Sequence, residues 1–214
     1  IHGIISLAEM VQDNTADVDM TLSIAERIIK EGERIGGIVS NLLSFARERN
    51  KKETELVDMG DILNRSLALI EKQIEKDGIH LIIDFPPNLA RIQVVSQEIQ
   101  QVFLNLLSNA RYALNQKFSG KDANKILRIT GRCIDIDGNS FVRTIFHDSG
   151  GGIPEEAIDK VVKPFYSTKP PGEGTGLGLS ISQEIVARCQ GKIYIESDYG
   201  AFTKVTIDLP LLSG

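Results

Sequence analysis

The chain has 214 residues, of which 42% are hydrophobic and 25% are charged, and its formal net charge is −5. These values are typical of a soluble protein with one compact domain and a smaller element. The acidic balance gives no reason to expect nucleic acid or an anionic membrane as a partner. No apolar run approaches the roughly 18 residues of a membrane span.

The chain begins with Ile1, inside an amphipathic pattern and without a helix cap, so we expect a fragment of a longer protein. The two cysteines, Cys133 and Cys189, lack the spacing of metal ligands. We expect two buried free thiols in a reducing compartment, and a disulfide is the less favoured alternative.

The first 50 or so residues have the periodicity of a helical hairpin. Apolar residues recur at helical spacing from Ile1 to Val11, and a polar stretch at 13–17 interrupts them. A second helix is predicted from about Asp19 to Asn50. Its apolar face is too wide for one hairpin to bury, so we expect two hairpins to form a dimeric four-helix bundle.

Helices and strands alternate in the rest of the chain. The predicted helices cover about 59–76, 97–117 and 177–190, and the predicted strands about 79–85, 91–95, 126–134, 140–146, 192–197 and 202–209. The turn Asp137-Gly138-Asn139 predicts a hairpin, which rules out a purely parallel sheet. The predicted fold class is α+β: a helical hairpin in 1–52, then in 53–214 a two-layer α/β sandwich with a mixed sheet.

Two asparagines and two glycine-rich stretches are typical of a phosphate-binding site. Asn105 and Asn109 are four residues apart and share a helix face, and an amide oxygen is a suitable ligand for Mg²⁺. The glycines lie in Asp148-Ser149-Gly150-Gly151-Gly152 and in Gly172-Glu173-Gly174-Thr175-Gly176-Leu177-Gly178-Leu179. Glycine lets a backbone approach a ligand and present its N–H groups. Alternatively, one amide caps a loop and the other faces solvent.

Asp148 follows an apolar strand and precedes the first glycines. A buried carboxylate at a strand end must find a hydrogen-bond donor, which could be a ligand. The alternative is a cap for the turn before Gly150. The second glycine stretch is not a Walker loop, because no Gly-Lys-Ser/Thr follows it, but it opens a predicted helix whose N-terminus would face phosphates.

This order of motifs resembles the catalytic, ATP-binding domain of sensor histidine kinases, which shares the Bergerat-type fold of the gyrase, Hsp90 and MutL ATPases. The asparagine helix matches the N box of that family, the glycine stretches match the G boxes, and 163–169 match the F box. The resemblance implies a cytoplasmic, homodimeric two-component kinase that uses Mg²⁺ and ATP. It also implies relay of phosphate to a response-regulator receiver domain, with membrane contact only through other parts of the parent protein.

The resemblance also implies roles for single residues. Asn109 would bind Mg²⁺ with Asn105 close to the metal and phosphates, and Asp148 would accept a hydrogen bond from the adenine amino group. The implied ATP-binding residues are Asn105, Asn109, Tyr112, Asp148, Gly150, Gly152, Ile153, Phe165, Ser167, Thr168, Lys169, Gly174, Thr175, Gly176, Leu177, Gly178, Leu179 and Thr203.

Within the lid between the glycine stretches, Phe165 is expected to anchor the lid to the core rather than to stack on nucleotide. Lys169 could reach the terminal phosphates on closure or could be a solvent-exposed lysine. The chain departs from the family at two positions. Tyr112 stands where a basic residue is common, for which Arg111 could compensate, and Phe202 stands where a second glycine is usual.

The hydrolysing ATPases of the superfamily have a carboxylate where this chain has Asn105. An amide cannot accept a proton at neutral pH, so phosphoryl transfer to a side chain is expected rather than hydrolysis. The stretch Ile1-His2-Gly3-Ile4-Ile5 resembles the sequence just after the family's phosphoacceptor motif. We therefore expect the acceptor histidine upstream of the chain, with His2 as the alternative. The rival functions are a pseudokinase scaffold and, less favoured, a gyrase-type ATPase.

Overall fold

The computed structural model describes residues 2–13, 17–25, 27–29, 32, 53–87, 89–170 and 173–211. The chain forms two compact units, which consist of Ile1–Lys51 with Lys169–Thr175 and of Lys52–Thr168 with Gly176–Gly214. We call them the helical unit and the sandwich. The assignment of 1–52 and 53–214 to domains with separate roles stays a prediction.

The helical unit contains helix α1 (His2–Asp13), and residues 18–25 and 27–29 are also helical. The second helical stretch begins after Asp17, whose carboxylate accepts the N–H of Met20 at 2.9 Å, as expected for a helix cap. Most of the predicted second helix beyond residue 32, and with it the predicted bundle, lies outside the described residues. No helix in the described part of the chain is both long and apolar enough to cross a membrane.

The described residues of the sandwich form seven strands and four helices. The strands are β1 (Glu55–Val57), β2 (His80–Asp84), β3 (Ile92–Val94), β4 (Ile126–Ile136), β5 (Asn139–Asp148), β6 (Lys192–Asp198) and β7 (Phe202–Pro210). The helices are α2 (Met59–Lys76), α3 (Ser96–Lys117), α4 (Glu155–Ile158) and α5 (Gly178–Arg188). The predicted elements are all present, within a few residues of their expected bounds. Strand β1 has no counterpart in the prediction, because three residues have no readable period.

Five strands form one sheet in the order β2-β4-β5-β7-β6, and β1 pairs with β3 in a small separate sheet. Strand β2 is parallel to β4, whereas the other neighbours in the large sheet are antiparallel. The predicted mixed sheet is thus confirmed. The β4–β5 turn is the predicted hairpin, and its two loop residues, Asp137 and Gly138, have φ values of 52° and 77°, as in a type I′ turn.

The core lies between the large sheet and helices α2, α3 and α5. Val142, Thr144 and Phe146 are buried at alternate positions of β5, which is the period of a strand with one covered face. On α3, Phe103 is fully buried, and its ring meets that of Phe146 edge-on at 5.2 Å. This contact helps to fix α3 over the strand that ends at Asp148.

Both cysteines are free thiols, but Cys133 is exposed and Cys189 is half-buried, so the expectation of two buried thiols was wrong. Cys133 follows Leu127, Ile129 and Gly131 at every second position of β4, yet burial along this strand ends at Gly131. The last residues of the β4–β5 hairpin therefore carry no covering layer, which strand periodicity alone does not reveal.

Candidate nucleotide-binding site

One row of α3 connects the two glycine loops. Asn105, Asn109, Ala113 and Lys117 recur every fourth residue, which places them along a single ridge of the helix surface. We call this row the α3 ridge. Asn105 touches the start of α5, just after the second loop, whereas Ala113 and Lys117 meet the first loop. The ridge therefore spans the distance between the two loops.

At one end of the ridge, the Asn105 side chain binds the first turn of α5. Its Nδ2 donates to the carbonyl oxygen of Gly178 at 3.0 Å and to the hydroxyl of Ser182 at 3.2 Å. The Ser182 hydroxyl in turn donates to the same carbonyl at 2.8 Å. A carbonyl oxygen can only accept hydrogen bonds. The Asn105 amide can donate to the Gly178 carbonyl, whereas a carboxylate at this position could not.

Asn109 and Tyr112 are half-buried on α3. Arg111 is engaged elsewhere: it forms an ion pair with Asp77 and donates to the Gln73 side chain at 3.0 Å. Burial alone would raise the pKa of Asp77, but hydrogen bonds from Arg111 and Asn115 hold that pKa below its ordinary value. The idea that Arg111 compensates for Tyr112 at the phosphates was therefore wrong, because its guanidinium is bound to the end of α2.

At the other end of the ridge, Asp148 closes strand β5 and is only 5% exposed. Its Oδ1 accepts the N–H of Gly150 at 2.9 Å. Burial raises the pKa of Asp148 to about 7, against the lowering effects of that hydrogen bond and of the Lys117 charge. Antiparallel pairing of β5 with β7 sets Asp148 opposite Thr203, which is also buried. Two of the residues expected to bind ATP are thus neighbours.

The first glycine loop lies against the β6–β7 turn. Gly152 has a φ of +67°, and a Cβ there would lie 2.2 Å from the carbonyl oxygen of Asp198. The N–H of Gly200 donates to the carbonyl of Gly151 at 2.7 Å, and the N–H of Ile153 donates to the Ser197 hydroxyl at 2.8 Å. These contacts leave no room for a side chain at Gly152.

The second glycine loop meets the lid through backbone atoms. Gly176 has a φ of +66°, a Cβ on it would lie 2.4 Å from the carbonyl carbon of Phe165, and its own carbonyl accepts the N–H of Phe165 at 2.9 Å. The Phe165 ring is 78% exposed, and its backbone has a φ of +65°. The expectation that this ring anchors the lid to the core was wrong, because the backbone makes the contact and the side chain faces solvent.

The remaining predicted residues lie along the lid and the start of α5. Ser167 and Thr168 are exposed, whereas Lys169, Gly174, Thr175, Leu177, Gly178 and Leu179 are half-buried. Because Lys169 is half-buried, the alternative prediction of a solvent-exposed lysine was wrong. Burial lowers the pKa of its ammonium group. Lys169, Gly174 and Thr175 belong to the helical unit.

Helix α5 begins after Leu177 without a side-chain cap. The first N–H groups of an α-helix have no partner within the helix, and the helix dipole favours an anion there. A chloride-, sulfate- or phosphate-sized anion would therefore be stabilised at this end of the site. His2 lies in the first turn of α1, and its side chain is outside the described residues.

Several contacts of the site were not predicted from the sequence. The Lys117 ammonium donates to three carbonyls around the first loop. The hydroxyls of Ser149 and Ser197 connect this loop region to β4 and β6, and the Ser182 hydroxyl of α5 accepts the Asn105 amide. Only Lys117 had a signal that could have revealed it, because it continues the fourfold spacing of the two asparagines. The serines bind partners fixed by tertiary structure, so no local pattern marks them.

Residues 94–213, more than half of the chain, match the family described as histidine kinase-, DNA gyrase B-, and HSP90-like ATPases. The chain is 30% identical to the sensor kinase CckA of Brucella abortus over 99% of its own length and 23% of that protein. It is 32% identical to the sensory histidine kinase/phosphatase NtrB of Vibrio alginolyticus over 99% of its own length and 59% of that protein.

Solved structures agree with these relatives. The catalytic domain of the histidine kinase ThkA matches with a TM-score of 0.61 and 29% identity over 74% of this chain and 96% of that domain. A complex of ThkA with the response regulator protein TrrA matches in fold, with a TM-score of 0.69 and 24% identity over 98% of this chain and 59% of that one.

The chain therefore belongs to the histidine kinase-, DNA gyrase B-, and HSP90-like ATPase family. Its sandwich is an ATP-binding domain of the type found in histidine kinases, and its named relatives are sensor kinases. It spans between about a quarter and three fifths of the length of these two relatives.

Proposed function

We propose that the chain is the kinase core of a sensor histidine kinase, which binds Mg·ATP and transfers the γ-phosphoryl group to a histidine. The observation that carries this proposal is the α3 ridge. It runs from the first glycine loop, where the Asp148 carboxylate is buried, past Asn109 to Asn105, whose amide contacts the first turn of α5, a helix without a side-chain cap. A nucleotide along this ridge would meet a base-binding end and a phosphate-binding end in the order that the sequence motifs predict.

The adenine would lie at the first loop. Asp148 presents an acceptor beside Thr203, and Gly150 has no side chain to obstruct the approach. A Cβ on Gly150 would lie 2.6 Å from the Asp148 Oδ1 and 2.7 Å from the Ala113 side chain. The adenine amino group is a hydrogen-bond donor, whereas guanine has an acceptor at that position, so the Asp148 carboxylate would select ATP over GTP.

The phosphates and Mg²⁺ would lie toward the second loop. Helix N-terminal N–H groups suit phosphate oxygens, and α5 offers them beside the side chain of Asn105. The Asn109 oxygen is a neutral, hard donor that fits a Mg²⁺ ion otherwise bound by water and phosphate. When bound, the ion would neutralise charge on the phosphates, and the Asn109 side-chain oxygen would hold the ion beside the α3 ridge.

Phosphoryl transfer suits this site better than hydrolysis. The Asn105 side chain is an amide, and its nitrogen donates to the Gly178 carbonyl and the Ser182 hydroxyl. Because an amide cannot accept a proton at neutral pH, this side chain cannot serve as a base for water. In the proposed transfer, an imidazole nitrogen attacks the γ-phosphorus, the bond to the β–γ bridging oxygen breaks, and ADP leaves. The acceptor would be a histidine of the hairpin, upstream of the chain, with His2 as the alternative.

We further propose that the hairpin forms a homodimeric bundle and that the phosphohistidine serves a response-regulator receiver domain. The support is the amphipathic hairpin pattern, the sensor kinase relatives and the ThkA–TrrA complex. The kinase core would act in the cytoplasm, where receiver domains are found, whatever other segments the parent protein has.

Calorimetric titration of Mg·ATP into the chain tests the proposal. Asp148→Asn should weaken ATP binding, because an amide presents a different donor pattern to the base. Asn109→Ala should bind ATP with little dependence on Mg²⁺, and Asn115→Ala, on an exposed part of the same helix, is the matched control. No binding by the folded wild type would contradict the kinase proposal and support a signalling scaffold.

The acceptor is tested by incubation with γ-labelled ATP. We expect no acid-labile, alkali-stable label on the chain itself, and label on an added hairpin fragment that carries the upstream histidine. Label on the wild type that His2→Ala abolishes would make His2 the acceptor instead. Rapid phosphate release would contradict phosphoryl transfer and favour the hydrolysing ATPase.

A further inference from the structure

We propose that Lys117 is a positioning residue for nucleotide recognition: its ammonium group fixes the first glycine loop against the β6–β7 turn and so sets the selection of adenine. The proposal rests on the proposed function, since it concerns the base-binding end of that same site. No sequence motif includes Lys117, which lies at the last position of α3.

The Lys117 ammonium group has one carbonyl acceptor for each of its three N–H donors. Its Nζ donates to the carbonyl oxygens of Ser149 at 2.8 Å, Gly150 at 3.1 Å and Ala201 at 3.2 Å. A lysine ammonium has three N–H donors and no acceptor, so three carbonyls use its full capacity. It also lies 5.2 Å from the centre of the Phe118 ring.

The three carbonyls belong to the two segments that carry the base-binding residues. Ser149 and Gly150 follow Asp148 directly, and the Gly150 N–H donates to the Asp148 carboxylate. Ala201 belongs to the turn before Thr203, which is paired with Asp148. The Lys117 ammonium thus links both segments to the end of α3, next to the residues that place Asp148 and Thr203.

Lys117 also acts on Asp148 electrostatically, because its charge favours the ionised carboxylate against the effect of burial. An ionised carboxylate is the stronger acceptor for an amino group. Loss of the ammonium would therefore release the loop that holds Asp148 and weaken that carboxylate as an acceptor. Both changes would weaken the contact with the 6-amino group of adenine, which guanine replaces with a carbonyl oxygen.

Lys125 provides a matched control within the same unit. It is 2% exposed, and its ammonium also donates to backbone carbonyls, those of Asp77 at 2.8 Å and Gly120 at 3.0 Å. Its carbonyl partners lie outside both glycine loops. If lysine–carbonyl contacts matter only for stability, Lys117→Met and Lys125→Met should act alike on nucleotide binding.

The experiment measures the dissociation constants of Mg·ATP and Mg·GTP for the wild type, Lys117→Met, Lys117→Gln and Lys125→Met. We expect Lys117→Met to weaken ATP binding about tenfold with GTP binding nearly unchanged, so that the preference for ATP narrows by the same factor. Lys117→Gln, which keeps two N–H donors without the charge, should fall between the wild type and Lys117→Met. Lys125→Met should keep the wild-type preference even if its melting temperature falls further.

The outcomes separate this proposal from the proposed function. A wild type that binds no ATP, or shows no preference for ATP over GTP, overturns both. A wild type with the preference, together with an unchanged preference in Lys117→Met, overturns only the role of Lys117. Equal losses of affinity for ATP and GTP would show that Lys117 only stabilises the fold, and would overturn its role in selecting the base. If Lys117→Met does not fold, the same comparison with Lys117→Gln decides, and an unchanged preference there overturns the role.

Discussion

The first glycine loop, at 150–152, and the second, which leads into α5, meet the rest of the sandwich in different ways. Protein atoms fill the space beside Gly150 and Gly152, where a Cβ would lie 2.6 Å and 2.2 Å from its nearest neighbours. In the second loop, Gly176 is equally crowded, at 2.4 Å from the Phe165 backbone, but a Cβ at Gly178 would make only an ordinary contact, at 3.6 Å from Asn105.

Glycines in one motif can therefore be present for different reasons. Gly150, Gly152 and Gly176 are required by the fold itself, since a side chain at each of them would collide with neighbouring atoms. Gly178 is not required by its described neighbours, so its lack of a side chain is better explained by a ligand that approaches α5. Substitutions at these and neighbouring positions test this distinction.

The largest effect is expected for Gly152→Ala. Alanine would adopt a left-handed backbone, which costs about 1–2 kcal/mol, and its Cβ would force the Asp198 carbonyl aside, which costs about 1–3 kcal/mol. We expect the free energy of unfolding, measured in urea, to fall by about 3 kcal/mol. Gly151→Ala is the control, because nothing lies within 4 Å of its Cβ position. Equal stability of the two variants would contradict the crowded first loop.

Asp148→Asn should remove a pH dependence of stability. The pKa of Asp148 is about 7 in the folded protein against 3.8 ordinarily, so between these values the folded state binds more protons than the unfolded state. Stability should therefore fall as pH rises, by up to about 1.4 kcal/mol per pH unit. Between pH 5 and pH 7 the wild type should lose about 2 kcal/mol more than Asp148→Asn in urea unfolding. Parallel pH profiles would show that the carboxyl is ionised throughout.

Asn105→Asp should cost about 1–2 kcal/mol at pH 7, because a carboxylate would face the Gly178 carbonyl and leave it without its donor. At pH 3 the protonated acid can donate one hydrogen bond, so part of the loss should be recovered relative to the wild type at the same pH. Urea unfolding at both pH values measures this difference. Full stability at pH 7 would mean that the amide is not matched to its neighbours and that a carboxylate is tolerated there.

Gly178→Ala should have the smallest effect on stability, within about 0.5 kcal/mol, because the position has ordinary space and alanine favours a helix. Its effect on function should be larger, with Mg·ATP affinity about tenfold lower in calorimetry if phosphates approach the first turn of α5. Gly176→Ala, by contrast, should lose stability. An unchanged affinity in Gly178→Ala would place the phosphates away from this turn.

The sequence motifs and the structure agree where the information is local. The spacing of Asn105 and Asn109 implied a shared helix face, and Asp137-Gly138 implied the hairpin that the φ values confirm. The family assignment and the mixed sheet are confirmed as well. The roles of the individual site residues stay predictions, although pairing of β5 with β7 does bring Asp148 and Thr203 together.

The incorrect predictions concern contacts between distant parts of the chain. Arg111 was considered as a substitute for the basic residue missing at Tyr112, but its guanidinium pairs with Asp77. That partner lies 34 residues away and could not be chosen from sequence. Phe165 was expected to anchor the lid to the core, yet its side chain faces solvent and its backbone is left-handed. Cys133 kept the inward alternation of β4 but lies beyond the covered part of the sheet.

The order and type of the elements, the positions of the glycine loops and the class of the site could be read from the amino-acid sequence. These follow from the period of apolar residues and from the backbone freedom of glycine, which act over a few residues. The folded structure was needed to show that Lys117 binds carbonyls 32 to 84 residues away, and to show which glycines the fold requires. Such contacts depend on strand register and loop geometry, which set atoms within hydrogen-bond distance only after the chain has folded.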